Sequence, residues 1–350
     1  MDVRELLQQA IGQGAADVFI IAGLPVSYRV DGTIKRISTE KLTPAQTEEY
    51  LIQIYAMDNR TISILHNMGE DAFSFANAGL YRFRVNAYKQ RGSLSAVIRI
   101  ITFVLPTPEV LGIPEEIIHV GVSSKGLVLV TGPAGSGKST TLACIIDYIN
   151  KNKQKHIITL EDPLEFLHRH EQSIVSQREI SVDTESYVTA LRASLRQSPD
   201  VILLGELRDY ETIAVAMTAA ETGHLIFSTL HTLGATSTID RIIDAFPSSE
   251  QKQIAIQLSM VLQCIISMQL VPDVTGHQTA AFEVMTITPA IRNMIRENKI
   301  PQIEAMLYPS NKGDMISMDN SLLNLYHAGK ITKETALAFA TNPEMLNRKL

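Results

Sequence analysis

Apolar and polar positions follow two different rhythms along this chain. In the first hundred residues the period shifts between helical and strand-like. Val3, Leu6, Leu7 and Ala10 share one helix face, so residues 1–12 read as a helix. Ala16 to Ala22 and Val26 to Val30 read as strands, and Asp31-Gly32 has the composition of a two-residue hairpin turn into Thr33 to Ile37. Thr43-Pro44 opens a helix with proline at its first position, running to about Met57. Asp71 to Phe75, Tyr81 to Tyr88 and, after a turn at Gln90-Arg91-Gly92, Ser95 to Ile101 complete the strands. Hairpin-linked strands with two helices predict a small α+β sheet with one covered face. Prolines 106, 108 and 114 mark a linker, so a first domain is expected at 1–102, a linker at 103–115 and a second domain at 116–350.

The second domain has another rhythm. Short apolar runs (Leu127–Val130, Ile157–Leu160, Val201–Leu204, Leu225–Ser228) alternate with helix-like segments. That alternation predicts an α/β domain: a parallel sheet with crossover helices and a ligand at the carboxyl ends of its strands. From about Thr286 to residue 350 the pattern reads as helices only.

Composition narrows the class. The 350 residues are 45% hydrophobic and 19% charged, as in an ordinary globular protein of two domains. A net charge of −6 with no Lys/Arg cluster argues against a dedicated duplex-DNA binder, and direct nucleic-acid contact is not expected. Cys144 and Cys264 both sit in apolar runs and no C-x-x-C occurs, which fits buried thiols rather than a disulfide or zinc site. Met260 to Val271 is broken by Gln263, Ser267 and Gln269 and is too short to span a bilayer. The start, Met1-Asp2-Val3-Arg4-Glu5, lacks the basic-then-apolar order of a signal peptide. A cytoplasmic protein is expected, with any membrane link made through a partner.

The sharpest chemical signal is Gly132-Pro133-Ala134-Gly135-Ser136-Gly137-Lys138-Ser139-Thr140, which fits G-x-x-x-x-G-K-[ST] between a strand (126–131) and a helix (140–150). The glycines let successive backbone N–H groups face one anion, and the helix N-terminus adds partial positive charge. In that pattern Lys138 reaches the β/γ-phosphates and the Ser139 hydroxyl holds Mg²⁺, so an ATP-type site is expected.

Three further constellations fall at predicted strand ends. His156 to Phe166 carries Glu161, Asp162 and Glu165, which either orient an attacking water or solvate a loop. Val201 to Asp209 is an apolar strand followed by Gly205 and Glu206, the Walker B arrangement in which an acid anchors Mg²⁺ and the glycine leaves room for phosphates. Thr222 to Thr232 puts His224 before a strand and His231 after it, each either a phosphate sensor or a structural residue.

Taken together, Leu195 to Asp209, the acidic run at 161–165 and the histidine run at 222–232 resemble the type II/IV secretion and pilus ATPase (GspE/PulE) superfamily. Ala290 to Lys299 is similar to a motif of its pilus-retraction branch, the PilT family. That likeness runs from Val30-Asp31-Gly32 and Arg82 to Asn86 through Ser317-Met318-Asp319. Ala16 to Ile20 departs from the branch, with Phe19 where a histidine is common; Leu207 stands where methionine is common.

The resemblance implies a PAS-like N-terminal domain and a RecA-like P-loop ATPase domain with a C-terminal helical segment (about 286–350), assembled as a homohexameric ring that hydrolyses ATP with Mg²⁺. It implies Glu161 as the catalytic carboxylate, Glu206 and Ser139 at the metal, and His231 toward the γ-phosphate. Arg84 and Arg99 look like arginines that the family supplies in trans, though both also fit surface strand positions. The implied partners are an inner-membrane pilus platform protein (PilC-like) and, through it, pilin; the implied work is pilus retraction and twitching motility at the inner face of the membrane. The helix at 290–299, with Arg292, Arg296 and Glu297, either touches that partner or is solvated. A PilU-like accessory ATPase, a nucleotide-gated ring that binds without hydrolysing, and a DNA-translocating ring are the alternatives.

Overall fold

The computed structural model describes residues 2–30, 32–77, 81–102, 105–312 and 315–350. Asp31 of the expected hairpin turn, and residues 103–104 at the start of the expected linker, lie outside the described residues. Two compact units divide the chain, 1–104 and 105–350.

In the first unit α1 (Val3–Gly12) is followed by β1 (Asp17–Ile20), β2 (Ser27–Val30), β3 (Thr33–Arg36), α2 (Pro44–Met57), α3 (Ser63–Met68), β4 (Glu70–Asn77), β5 (Tyr81–Gln90) and β6 (Ser93–Thr102). Local chemistry starts α1 and α2. The Asp2 carboxylate accepts from Arg4 N, and Thr43 and Gln46 form a reciprocal capping box ahead of Pro44. The strands form one antiparallel sheet in the order β3-β2-β1-β6-β5-β4. Phe83, Val85 and Ala87 of β5 and Ala96, Ile98 and Ile100 of β6 point into one core with Leu6, Leu7, Leu51 and Ile54 from α1 and α2. Arg91 and Gly92, both at positive φ, make the β5–β6 turn in the form that matches strand twist. The short α3 had no expectation in the sequence.

The second unit begins within the expected linker. Its elements are α4 (Pro108–Leu111), α5 (Glu115–Ile118), β7 (Gly126–Thr131), α6 (Lys138–Asn152), β8 (His156–Glu161), β9 (Ile174–Glu179), α7 (Tyr187–Ser194), β10 (Val201–Leu204), α8 (Tyr210–Glu221), β11 (Leu225–Leu230), α9 (Ala235–Asp244) and α10 (Gln251–Val261), then β12 (Leu262–Pro272), β13 (Gln278–Thr286), α11 (Pro289–Arg296), α12 (Ile300–Leu307), β14 (Asn311–Lys312), β15 (Met315–Ile316), α13 (Met318–His327), α14 (Lys333–Phe339) and α15 (Pro343–Asn347). Residues 105–115 are not a free spacer: Ile113, Ile117 and Ile118 are buried beside β7 and α6. Pro108 sits in the first turn of α4 and Pro114 caps α5, positions where a missing N–H costs nothing.

The large sheet runs β14-β15-β13-β12-β7-β11-β10-β8-β9. Strands β7 to β12 are parallel neighbours; β13, β14 and β15 add antiparallel. Side chains on each parallel strand alternate between two cores: Leu127, Leu129, Ile158 and Ile202 face one layer of helices, and Val128, Val130, Ile157 and Val201 the other. One sequence expectation is corrected and one element was not foreseen. Beyond Thr286 the chain is not helical throughout, because β15 pairs with β13 and β14 with β15. The 262–286 region is an antiparallel hairpin with no counterpart in the sequence reading; β12 is buried on both faces, which erases the alternation that marks a half-exposed strand. No helix among the described residues is long and apolar enough to cross a membrane.

Candidate active site

The glycine-rich loop joins β7 to α6 at the carboxyl edge of the parallel strands. Gly132, Gly135 and Gly137 all have positive φ. At Gly132 the backbone passes so near the Met268 carbonyl and Ser136 Oγ that a Cβ has no space. Helix α6 starts from Gly137 with no side-chain cap, leaving its first N–H groups free for an anion. The Ser136 hydroxyl is buried without a hydrogen-bond partner, as a donor waiting for an acceptor in the loop would be. Pro133, Ala134 and Gly135 are exposed, while Ser139 and Thr140 are half-buried in the first turn.

Lys138 is buried, and its Nζ donates to the Gly132 and Pro133 carbonyls, 2.9 Å each. Burial lowers its ammonium pKa, and the carboxylates of Glu206 and Glu165 oppose that shift. His231 stands between Lys138 and Glu206: Nδ1 is 3.5 Å from Lys138 Nζ, and Nε2 is 3.5 Å from Glu206 Oε2. Glu206 also pairs with Arg208. Loop lysine, Walker-type acid and post-strand histidine therefore converge, although 93 positions separate Lys138 from His231.

Glu161 closes β8, the neighbour of β10. Burial pushes its carboxyl up from 4.5 to about 7; Glu165 adds to the shift, and hydrogen bonds from Gln177 and the Glu165 backbone oppose it. A carboxyl poised near neutrality suits a general base. Gln177 also fixes the loop after Glu161, donating to the Phe166 carbonyl at 2.9 Å and accepting from His168 N at 2.7 Å.

Gly205 is hemmed in by protein on two sides. A Cβ there would meet Tyr187 Oη at 2.6 Å and the Leu160 carbonyl at 3.4 Å, so the glycine clears a tyrosine and β8. Tyr187 from α7 thus reaches between the two acidic strand ends. Burial, then the Asp162 and Glu206 carboxylates, raises its pKa and keeps it a hydroxyl. Thr229 Oγ1 donates to the Gly205 carbonyl at 2.6 Å and ties β11 to this edge. Sequence reasoning missed Gln177, Tyr187 and Thr229; for Thr229 the signal was its place inside the histidine run.

Not every candidate joins the cluster. His224 Nδ1 lies 2.9 Å from the Ala219 carbonyl and holds the end of α8, a structural task. Asp209 caps α8 through Thr212 N at 2.8 Å. Arg84 and Arg99 stand in register on β5 and β6 of the first unit; Arg99 Nε donates to Asp17 Oδ1 at 3.1 Å. Phe19, at the position of the absent histidine, lies under the Arg29 guanidinium at 5.4 Å. In α11, Arg292 donates to the Ser259 and Met260 carbonyls at 2.5 and 2.7 Å, so it finishes α10, while Arg296 is exposed. The Ser139 hydroxyl and the Glu206 carboxylate are hard oxygen donors of the kind Mg²⁺ takes beside phosphates.

A glycine loop running into a helix N-terminus, a buried loop lysine and acids ending two adjacent parallel strands define a P-loop nucleotide-binding protein. Residues 1–309 match the family model described as type II/IV secretion system protein, and the chain belongs to that family. It is 45% identical to the type IV pilus retraction ATPase PilT of Pseudomonas aeruginosa PAO1, over 98% of this chain and 99% of that one. It is 39% identical to the type IV pilus ATPase PilU of the same strain, over 97% of this chain and 89% of the relative. A crystal structure of the pilus retraction motor PilT with bound ADP superposes with a TM-score of 0.91, at 44% identity and 99% coverage of both chains.

Proposed function

We propose that this protein is the ATP-hydrolysing motor that powers type IV pilus retraction, disassembling the fibre into pilin and driving twitching motility. The end-to-end likeness to a pilus retraction ATPase carries this reading, and the site supplies the chemistry. Loop 132–140 cradles the β- and γ-phosphates with the free N–H groups of α6. Lys138 leaves the loop carbonyls for phosphate oxygens, which compensate its burial better than neutral acceptors do. Ser139 and Glu206 would hold Mg²⁺, which neutralises phosphate charge when bound. Glu161 orients the attacking water and takes its proton. His231, set between Lys138 and Glu206, faces the γ-phosphate and reports its presence.

Six copies form a ring, with a PAS-like unit at 1–102 and a RecA-like ATPase unit that takes in residues 105–115 and a C-terminal helical segment. Arg84 and Arg99 of a neighbouring copy complete each site as arginine fingers do. ATP binding closes each interface and hydrolysis reopens it. The ring works at the cytoplasmic face of the inner membrane on a PilC-like platform protein, and reaches pilin only through it.

Counting surface pili and measuring motility in a strain carrying Lys138→Ala tests this. Abundant pili without movement are expected; few or no pili would make the protein an assembly motor. Similarity to PilU supports a second reading, an accessory ATPase that turns over ATP but moves no pili by itself. Expressing this protein alone in a strain without other retraction ATPases separates the two: restored movement favours the motor, and turnover without movement the accessory.

A further inference from the structure

Helix α9 follows the His231 loop, and its N-cap is Gly234, which has no side chain to offer. Two neighbouring strands supply what the cap lacks. Ser267 Oγ on β12 accepts from Gly234 N at 2.9 Å, and Glu283 Oε1 on β13 accepts from Ala235 N at 2.7 Å. Ser267 and Glu283 stand opposite each other in the β12–β13 ladder, and Ser267 is also in register with Thr131, the residue before the glycine loop. Thr238 Oγ1 completes the turn with a 2.7 Å bond to the Gly234 carbonyl.

Glu283 has a second contact. Its Oε2 accepts from Met318 N, the first residue of α13, at 3.4 Å. The positive ends of two 10-residue helices therefore meet on one carboxylate that is 7% exposed. Adjacent Asp319, also buried, accepts from Thr341 N and Asn342 N at 2.6 and 3.0 Å, so the chain beyond α14 hangs on the same junction. A cavity of about 390 Å³ lined by Gly234, Glu283, Tyr308 and Asp319 leaves space beside it for movement. Burial this deep is costly for a carboxylate that only fills space, and burial does raise the carboxyl pKa of Glu283 against the pull of its two backbone donors.

We infer that Glu283 is a positioning residue for ATP hydrolysis: it caps α9 from across the sheet, sets where His231 stands against Lys138 and Glu206, and binds the C-terminal helices to that setting. This rests on His231 facing the γ-phosphate. The hydrogen bonds of Glu283 go to Ala235 N and Met318 N and not to the glycine loop, Glu161, Glu206 or His231, so its effect must pass through the loop 231–235.

Glutamine keeps the shape of the side chain but turns one of its two acceptors into a donor. The test measures kcat, KM, ADP affinity and melting temperature for Glu283→Gln, His231→Ala and the double variant. The expected result is a kcat about 10- to 100-fold lower for Glu283→Gln, with ADP affinity near that of the parent protein, because misplacement costs rate rather than ground-state binding. In the His231→Ala background the same change should have little further effect, since both act through one group. Equal fold-losses in the two backgrounds, or kcat unchanged, would overturn the role of Glu283. If His231→Ala alone leaves kcat intact, the reading of His231 fails first and takes this inference with it. Should Glu283→Gln not fold, Ser267→Ala removes the other cap of the same loop; the same non-additivity with His231→Ala is expected, and simple multiplication of the losses would overturn the proposal.

Discussion

Arg99 on β6 stands directly opposite Arg84 on β5, so two like charges share one face of the small sheet. One step further across, Asp17 on β1 is in register with both Arg99 and Arg29, and its carboxylate accepts from the Nε of each. The row Arg29, Asp17, Arg99, Arg84 crosses four adjacent strands on the side away from the core. Like charges directly opposite each other cost a sheet stability, and Asp17 offsets part of that cost through Arg99 and Arg29.

If the two arginines act as proposed, removing either should cost far more in rate than in stability. Arg99 is 63% exposed and Arg29 still pairs with Asp17 in its absence, so Arg99→Ala should cost stability only about 1 kcal/mol or less. Turnover of Arg84→Ala or Arg99→Ala should fall about 10³-fold if they act as arginine fingers. Mixing Arg99→Ala with Lys138→Ala protein should restore part of the activity, because some sites would then pair an intact loop with an intact arginine. A mixture as inactive as its components would assign both residues to the strand surface alone.

The raised pKa of Glu161 predicts a pH dependence of stability and, if Glu161 is the base proposed, of rate. Acting as the proposed base, it would have to be ionised, so kcat/KM should rise with pH along a limb whose apparent pKa is near 7. Stability runs the other way. A carboxyl raised from 4.5 to about 7 contributes stability that is full below about 4.5 and is lost as pH rises through about 7, amounting to about 3 kcal/mol at most. Glu161→Gln should lower turnover about 10²- to 10⁴-fold and flatten that part of the melting-temperature profile. A profile still sloping between pH 4.5 and 7 would assign the titration to another group.

Much of this was legible in the chain. The glycine loop, the acids at 161 and 206 and His231 each end or begin an apolar run, and a parallel sheet gathers such ends along one edge. Less legible was whatever depends on burial from both sides. Strand β12 has no alternation to read, and with it went Ser267, Met268 and the opposing Glu283. Arg292 looked free on a helix surface because nothing in sequence says that α10 ends beneath it. Prolines 108 and 114 suggested a spacer because the same residue breaks a helix and begins one.

Gly205 offers a test of that edge. Its φ is not in the left-handed region, so Gly205→Ala meets steric rather than conformational resistance, chiefly from Tyr187 Oη. Overpacking here should cost about 1–3 kcal/mol. Tyr187→Phe removes the clashing oxygen and should return a measurable part of the lost melting temperature in the double variant. No rescue would show that the Leu160 carbonyl, 3.4 Å from the added methyl, is the real barrier.

Arg292 and Arg296 lie one turn apart on α11, and their tasks divide. Arg292 satisfies the last carbonyls of α10, where the helix leaves acceptors without intrahelical partners. Its loss leaves the part-buried Ser259 carbonyl without this donor while water can reach the exposed Met260 end, and should cost about 1 kcal/mol, a fall of a few degrees in melting temperature. Arg296 is exposed and carries no such duty, so Arg296→Ala should leave the melting temperature unchanged. If α11 meets the membrane platform, Arg296→Ala should impair pilus movement in cells while turnover in the isolated protein stays at the parent level. Normal motility in that variant would leave α11 as a scaffold that anchors α10 through Arg292.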